Sequence, residues 1–453
     1  MSIQSFNSVK LQEKTTEDFY DFIIVDEFHH AEAPSYTKLL DYYKPKILLG
    51  LTATPERMDG KNVLERFDGR MAAEMRLPEA IDRKLLSPFQ YFAVSDSVDL
   101  SKLKWTRGGY DRAQLENVYT NNDLRVNQII TSVQKYVTDI NSVIGLGFCV
   151  SVKHAQFMAD RFTTAGIPSL ALHGDSRAEE RNDAKVKLVN GEIKFIFTVD
   201  LYNEGVDIPE VNTVLFLRPT ESLTVFLQQL GRGLRLSEDK DCLTVLDFVG
   251  QAHKNYNFEE KFKALIGKSK HSVEYSINNG FIKLPKGCYI QLEKEAKDYV
   301  LRNIKSAKIT KANLISKLKY FEKDTGINLT LGNFLKYNNY ILGEFYGSQG
   351  NRSFSRLKVD AGLINDFQNE DEAIITKRLK NLFHINSRKF IEFAIRSLRS
   401  FIEGYKVDNY NEEEKLMLGM LYYSFYQDCS EKLQYESFET ALIQLCKNKE
   451  LRI

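Results

Sequence analysis

The stretch Phe22–Arg57 reads FIIVDEFHHAEAPSYTKLLDYYKPKILLGLTATPER, and the rest of the chain falls into place around it. Phe22-Ile23-Ile24-Val25 is an unbroken apolar run, the pattern of a strand buried on both faces of a parallel sheet. Asp26 and Glu27 follow at once, and in open α/β sheets ligands bind at the carboxyl ends of the strands. A second run, Ile47-Leu48-Leu49-Gly50-Leu51, ends in Thr52-Ala53-Thr54 before Pro55 stops it. Between the two runs, Ser35 to Tyr43 has helical spacing. The unit is strand, helix, strand, with polar groups delivered together at one edge. Adjacent carboxylates in that position suit the Mg2+ of a nucleoside triphosphate: one holds the metal's shell, and its neighbour orients or deprotonates the attacking water. Taken alone, the same two acids would serve equally well as the cap of the next helix.

Composition sets the outer bounds. A chain of 453 residues has room for about two to four domains, each with a real core. A hydrophobic content of 43% and a charged content of 27% are ordinary for a globular protein. The five cysteines (149, 242, 288, 429 and 446) form no CxxC pair, which argues against a zinc ribbon or a disulfide framework and favours a reducing, cytoplasmic setting. No apolar run approaches the roughly 18 residues that span a bilayer, and MSIQSFNSVK lacks the apolar core of a signal peptide. The net charge of +1 hides a basic stretch: residues 294–358 hold 13 basic side chains against 5 acidic ones. Polyanion contact and a solvated helical face both explain that excess.

Beyond Arg57 the pattern predicts a helix over Asp59–Phe67, a short helix closing at Leu86, and a strand over Phe89–Val94 as the last of the first domain. The polar segment 96–112, with Trp105 and Gly108-Gly109, reads as a linker. Strand and helix patterns then alternate: helices over Asn121–Val137, His154–Ala165, Arg177–Asn190 and Leu223–Gly231, and strands over Val143–Val150, Leu170–Leu172, Phe195–Thr198, Val214–Leu217 and Leu243–Phe248. This alternation implies a parallel sheet covered on both sides. TVDLYNEGVDIP (Thr198–Pro209) follows a strand and sets Gly205 and Asp207 where a backbone approaches a nucleotide. In QQLGRGLR (Gln228–Arg235), Gln228, Arg232 and Arg235 recur at helical spacing. Arginine suits a phosphate because its fork donates bidentately and keeps its charge.

DEFH, TATPE, NEGVD and QQLGRGLR, in that order, resemble motifs II, III, V and VI of superfamily 2 helicases of the DEAD/DEAH-box type, and VIGLGFCVS with ALHGDS resembles motif IV and the element after it. The resemblance spans about residues 2–250. It implies Asp26 and Glu27 for Mg2+ and water, and His29 for relaying between nucleotide and motif VI. It also implies Thr52 and Thr54 for coupling two domains, Gly205 and Asp207 for ATP, and Arg232 and Arg235 on the γ-phosphate. Gln228 opens motif VI where histidine is frequent; QxxGRxxR also occurs in the class. Gln4, in SIQSF, looks like the nucleic-acid-contacting motif that precedes motif II. His29-His30 are not spaced to converge on a metal.

A motor of this class also needs GxxxxGK[ST] to cradle the β- and γ-phosphates. Gly60-Lys61 is followed by Asn, and Gly267-Lys268-Ser269 has Phe262 where the first glycine belongs. Neither qualifies, so the first domain is expected to be truncated or split, with a separate chain as one source of the missing half. From about residue 255 aromatic-rich helices take over, similar to a domain of unknown function that closes a group of bacterial helicases. Helices are expected over Leu292–Ile304, Ala312–Phe321, Ile374–Tyr405 and Glu412–Leu445. Leu329–Leu363 has a helix-turn-helix-like character, with Lys336, Arg352, Arg356 and Lys358 as phosphate candidates. Tyr337, Tyr340, Phe345, Tyr346 and Phe354 either stack on bases or form a bundle core, core being favoured for most.

The expected architecture is α/β: two RecA-like parallel-sheet domains, the first incomplete (1–95) and the second complete (113–252), joined by a linker (96–112) and followed by a mainly α-helical domain (253–453). The expected function is that of the C-terminal portion of an ATP-dependent DNA helicase or translocase acting on single- or double-stranded DNA. A catalytically incomplete nucleic-acid-binding scaffold, or one half of a two-chain motor, is the alternative.

Overall fold

The computed structural model describes every residue except 29–30, 32, 53–65, 68–69, 107–108, 121, 200–207, 254, 307–309, 339, 347–351, 369–371, 403–409, 427–437 and 452–453. The chain forms two compact units, Met1–Gly267 with Val273–Ala307, and Lys268–Ser272 with Lys308–Ile453. Among the described residues no helix is long and apolar enough to cross a membrane.

The first unit opens with α1 (Ile3–Val9), β1 (Phe22–Val25), α2 (Pro34–Tyr42) and β2 (Ile47–Gly50). β1 and β2 pair in parallel, Phe22 opposite Ile47 and Val25 opposite Gly50. Contrary to the expectation of burial on both faces, among the described residues one face is covered, by Tyr36 and Leu40 of α2 with Phe28 and Phe67. The other leaves Phe22 and Ile24 about two-thirds exposed, at 64% and 66%.

After α3 (Leu77–Asp82) comes β3 (Phe89–Asp99), then the hairpin β4 (Trp105–Thr106) and β5 (Gly109–Tyr110), α4 (Arg112–Tyr119) and α5 (Asp123–Tyr136). The alternating part follows: β6 (Gly145–Phe148), α6 (Val152–Thr164), β7 (Ser169–Leu172), α7 (Ala178–Val189), β8 (Phe195–Thr198), β9 (Thr213–Phe216), α8 (Leu223–Gly233) and β10 (Leu243–Gln251). The unit closes with α9 (Phe258–Ile266), α10 (Val273–Asn279), β11 (Tyr289–Leu292) and α11 (Lys294–Ser306). Seven strands make one parallel sheet in the order β11-β3-β10-β9-β6-β8-β7.

Three boundaries differ from the sequence reading. β3, assigned to the first domain, pairs with β10 from Phe89 opposite Leu243 onward. β10 is buried along nearly its whole length and needs a neighbour on each side. The segment 96–112 is no linker. Asp96 lies inside β3, where it accepts a 2.9 Å bond from the Arg125 guanidinium, both side chains almost fully buried. Arg125 also donates to the Leu217 carbonyl at 3.0 Å and lies over the Tyr119 ring. The helical domain begins near residue 308, not 253, because β11 extends the sheet beyond β3. Glu293, between β11 and α11, accepts from the Ser95 amide, Lys135 and Tyr136.

The second unit is helical: α12 (Lys311–Thr325), α13 (Leu331–Asn338), α14 (Leu342–Tyr346), α15 (Phe354–Asp360), α16 (Glu372–Arg378), α17 (Arg388–Ile402), α18 (Glu412–Tyr426) and α19 (Phe438–Lys447). Its core includes Leu318, Phe334, Phe345, Leu357, Leu421 and Leu445. The buried Glu450 carboxylate caps α15, accepting from the Phe354 and Ser355 amides at 2.7 and 2.8 Å and from the Tyr346 hydroxyl.

Removing one partner of a buried ion pair strands the other charge. Asp96→Ala is therefore expected to cost about 3–5 kcal/mol. A denaturant titration that finds a loss under 1 kcal/mol would assign Asp96 no anchoring role.

Candidate active site and nucleic-acid contacts

The site begins where β1 ends. The Asp26 carboxylate is exposed, and its Oδ1 accepts from the Glu27 amide at 2.9 Å. Glu27 has a φ of +51°, the left-handed region that costs a residue with a Cβ about 1–2 kcal/mol. Such strain persists only where the surroundings over-determine it, and it gathers at functional sites. The surroundings here are specific. The Phe28 amide donates to the Leu51 carbonyl at 2.7 Å, and the Leu51 amide donates to the Val25 carbonyl at 2.9 Å. Phe28 is 1% exposed, and its ring lies against Phe67 with centroids 4.9 Å apart. A Cβ on Gly50 would stand 2.7 Å from the Phe28 ring, so glycine alone lets β2 pass beneath it. Thr52, half-buried, follows directly on this bridge.

From the seven-stranded sheet comes α8. Ser222 caps its start by accepting from the Val225 amide, while Phe226 and Leu230 bury its inner face. Gly233 ends it; a Cβ there would meet Leu243 at 2.4 Å, so this glycine seats the helix on β10. Gln228 Nε2 donates to Glu27 Oε1 at 2.9 Å. Two of the residues singled out from sequence, 201 positions apart, thus meet. Arg232 is half-buried on the last turn of α8. Arg235 departs from the expected helical spacing: the helix ends at Gly233 and Leu234 is its cap. The backbone around Arg235 is held instead by Ser87, whose amide donates to the Leu234 carbonyl and whose hydroxyl donates to the Arg235 carbonyl. His29, Thr54, Gly205 and Asp207 lie outside the described residues.

Among the described residues no group of three or more His, Cys, Asp or Glu is placed to hold a metal. Mg2+ does not require one: it is commonly held by one or two carboxylates, with waters and substrate phosphates completing the shell. An exposed Asp26 beside a Glu27 already engaged by Gln228 is an all-oxygen donor pair of that kind.

The other candidates divide. Gln4 is exposed on α1. Lys336 is exposed on α13, Arg352 is half-buried just before α15, and Lys358 lies beside the Phe354 ring. Arg356 is engaged by acids of its own unit. Its guanidinium grips Glu372 through two bonds, at 3.0 and 2.6 Å, and also donates to Asp366 and to the Phe367 carbonyl. These partners raise its pKa further above the ordinary range. Phe345, Tyr346 and Phe354 are buried core, as the core reading favoured. Tyr337 and Tyr340 are half-buried, Tyr340 accepting from Lys317 at 3.0 Å. Sequence reasoning missed Gly50, Asp96 and Arg125. A glycine inside an apolar strand run was the one available signal, for Gly50.

Parallel strands that end in two carboxylates, with a helix bearing Gln228 and Arg232 set against them, fit the helicase-type motor class. Family comparison agrees with that class. Residues 1–57 match the family described as type III restriction enzyme, res subunit, and residues 130–237 match the helicase conserved C-terminal domain. A 51.5 kDa protein of a Lactococcus phage is 33% identical over 231 residues, covering 51% of this chain and 49% of the relative. The Saccharomyces cerevisiae protein provisionally named ATP-dependent helicase IRC3 is 31% identical over 237 residues, covering 51% of this chain and 34% of that one. The chain thus spans about half the length, or less, of these relatives. The DNA-bound ATP-dependent type ISP restriction-modification enzyme LlaBIII overlays with a TM-score of 0.47 at 16% identity, over 98% of this chain and 32% of that chain. The matched segments and relatives are of the helicase type and support the resemblance to superfamily 2 helicases.

Two outcomes test this geometry. Gly50→Ala should cost about 1–3 kcal/mol through overpacking and, by displacing Phe28, loosen the Glu27–Gln228 bond. Hydrogen exchange at Val25–Phe28 indistinguishable from wild type would contradict it. Arg356→Ala should destabilise the second unit by about 1–3 kcal/mol through the charged hydrogen bonds it loses. Unchanged denaturation with weakened DNA binding would restore Arg356 as a phosphate contact.

Proposed function

We propose that this chain supplies the carboxylate and arginine sides of the nucleotide site of an ATP-dependent DNA helicase or translocase working in the cytoplasm. The observation that supports the reading best is the Gln228–Glu27 hydrogen bond, which joins the end of β1 to the helix that carries Arg232. Bound ATP with Mg2+ would supply the phosphoryl group and the charge neutralisation. Asp26 is the carboxylate that would face the metal, and Glu27 the one that would orient or deprotonate water. Gln228 keeps the Glu27 carboxylate turned toward α8. Arg232 and Arg235 are the cations that would compensate charge on the transferred group. Such arginines are typically worth about 10³–10⁵ in rate. Single- or double-stranded DNA would be gripped through its backbone, with Gln4, Lys336, Arg352 and Lys358 as contacts.

A second reading, one half of a two-chain motor, is favoured by the bare face of β1 and β2. Parallel strands are normally covered on both sides, yet Phe22, Ile24, Ile47 and Leu49 are exposed together. The sequence holds no GxxxxGK[ST], so a polypeptide bearing that loop would complete both the sheet and the phosphate cradle.

ATP hydrolysis with and without single-stranded DNA tests the pair. The chain alone should hydrolyse ATP near background. Addition of a polypeptide carrying GxxxxGK[ST] should elicit DNA-stimulated turnover that Glu27→Gln lowers by about 10²-fold or more. Robust turnover by the isolated chain, lost on Glu27→Gln, would sink the two-chain reading. Silence in both arrangements would leave a nucleic-acid-binding scaffold.

A further inference from the structure

Lys240 sits in the turn between α8 and β10, outside every motif singled out in the sequence. Its half-buried ammonium donates to three backbone carbonyls: Pro209 at 2.7 Å, Val211 at 3.1 Å and Gly233 at 3.1 Å. Pro209 closes the NEGVDIP segment, and Val211 follows it fully buried, its amide bonded to the Ile208 carbonyl. Gly233 is the last residue of α8, one position beyond Arg232. One cation therefore joins the Pro209–Val211 backbone to the end of the helix that carries Arg232.

The chemistry favours a lysine at this point. The last carbonyls of a helix have no partner within it and carry the negative end of its dipole, which a cation complements. An ammonium has three donors, and here there are three carbonyls. Neutral side chains of similar length offer fewer donors or none, leaving at least one half-buried carbonyl unsatisfied. The neighbouring charges are Glu210, which favours the ammonium, and Arg235, which opposes it.

We propose that Lys240 is a positioning residue that locks the Ile208–Val211 segment to the carboxyl end of α8, so that this segment and the helix end that carries Arg232 move as one rigid body. Its mechanical value rests on the nucleotide-site reading given above, but its existence does not. If the Ile208–Val211 backbone and the end of α8 moved independently, Arg232 would shift relative to the sheet that carries it; a shared clamp prevents this.

Hydrogen exchange on the full chain, without nucleotide, tests the clamp separately from any hydrolysis. Lys240→Met should raise exchange at the Ile208, Glu210 and Val211 amides and at Gly231–Arg235 together, by about tenfold or more, since the two segments then open locally. Strands β6 and β8 should stay as protected as in wild type. Lys240→Arg, which keeps the charge and several donors, should restore both segments to within about twofold. If Lys240→Met does not fold, Lys240→Gln carries the same reading with a smaller rise. A change in one segment alone, no change in either, or an arginine variant as loose as the methionine one would overturn the proposal. Loss of the turnover elicited by the GxxxxGK[ST] polypeptide, with exchange unaltered, would overturn it too, while leaving the motor reading intact.

Discussion

The Glu27 carboxylate is held from two directions at once, by a strained backbone beneath it and by the Gln228 amide in front of it. The proposed chemistry of the first unit rests on that double hold. A carboxylate free to rotate would spend little time aligned with a water and a metal-bound phosphate; effective catalysis depends on such alignment being set beforehand. The cost of the left-handed φ is met by contacts that do no chemistry themselves: the Phe28–Leu51 backbone bond and the close passage of Gly50 under the Phe28 ring. Function at this point is inseparable from packing at its neighbour.

Much of this was legible in the residues. The strand–acid–helix–strand unit, the alternating elements from β6 to β10 and the helix carrying Gln228 and Arg232 follow from hydrophobic period and end signals, and the structure places them within a few residues of the reading. What the residues did not reveal was partnership. Phe89–Val94 is apolar enough to be a buried strand in any sheet; nothing local says that it joins β10 and not β2. Asp96 fell in the segment read as a linker and Arg125 inside a helix, with nothing to pair them, because burial of an ion pair depends on two elements meeting that are 29 residues apart. β11 is four residues long, too short for periodicity to register. The opposite error occurred at β1, where an apolar run promised cover on both faces and only one face has it.

The second unit carries the same lesson in charge. Its basic excess was open to polyanion contact or a solvated face, yet part of it is spent internally. Arg356 is consumed by Glu372 and Asp366, Lys311 by Asp360, and Lys317 by the Tyr340 hydroxyl. Counting charges along a sequence overestimates the positive potential of a bundle whose acids lie elsewhere in the chain. Lys336, exposed on α13, is the candidate whose position leaves it accessible to a phosphate.

Lys240 and Gly50 belong together although neither touches a substrate in any reading of the site. Each sets a distance between two backbone segments: Gly50 by what it lacks, Lys240 by what it donates. The groups that do chemistry are recognisable by type, as acids, arginines and glutamine. The groups that fix their separations are recognisable only after folding, since a glycine or a lysine occurs on almost any surface. A site built from two sheets needs both kinds, because the transition state it must fit is defined by distances between charges, and a side chain alone fixes none of them.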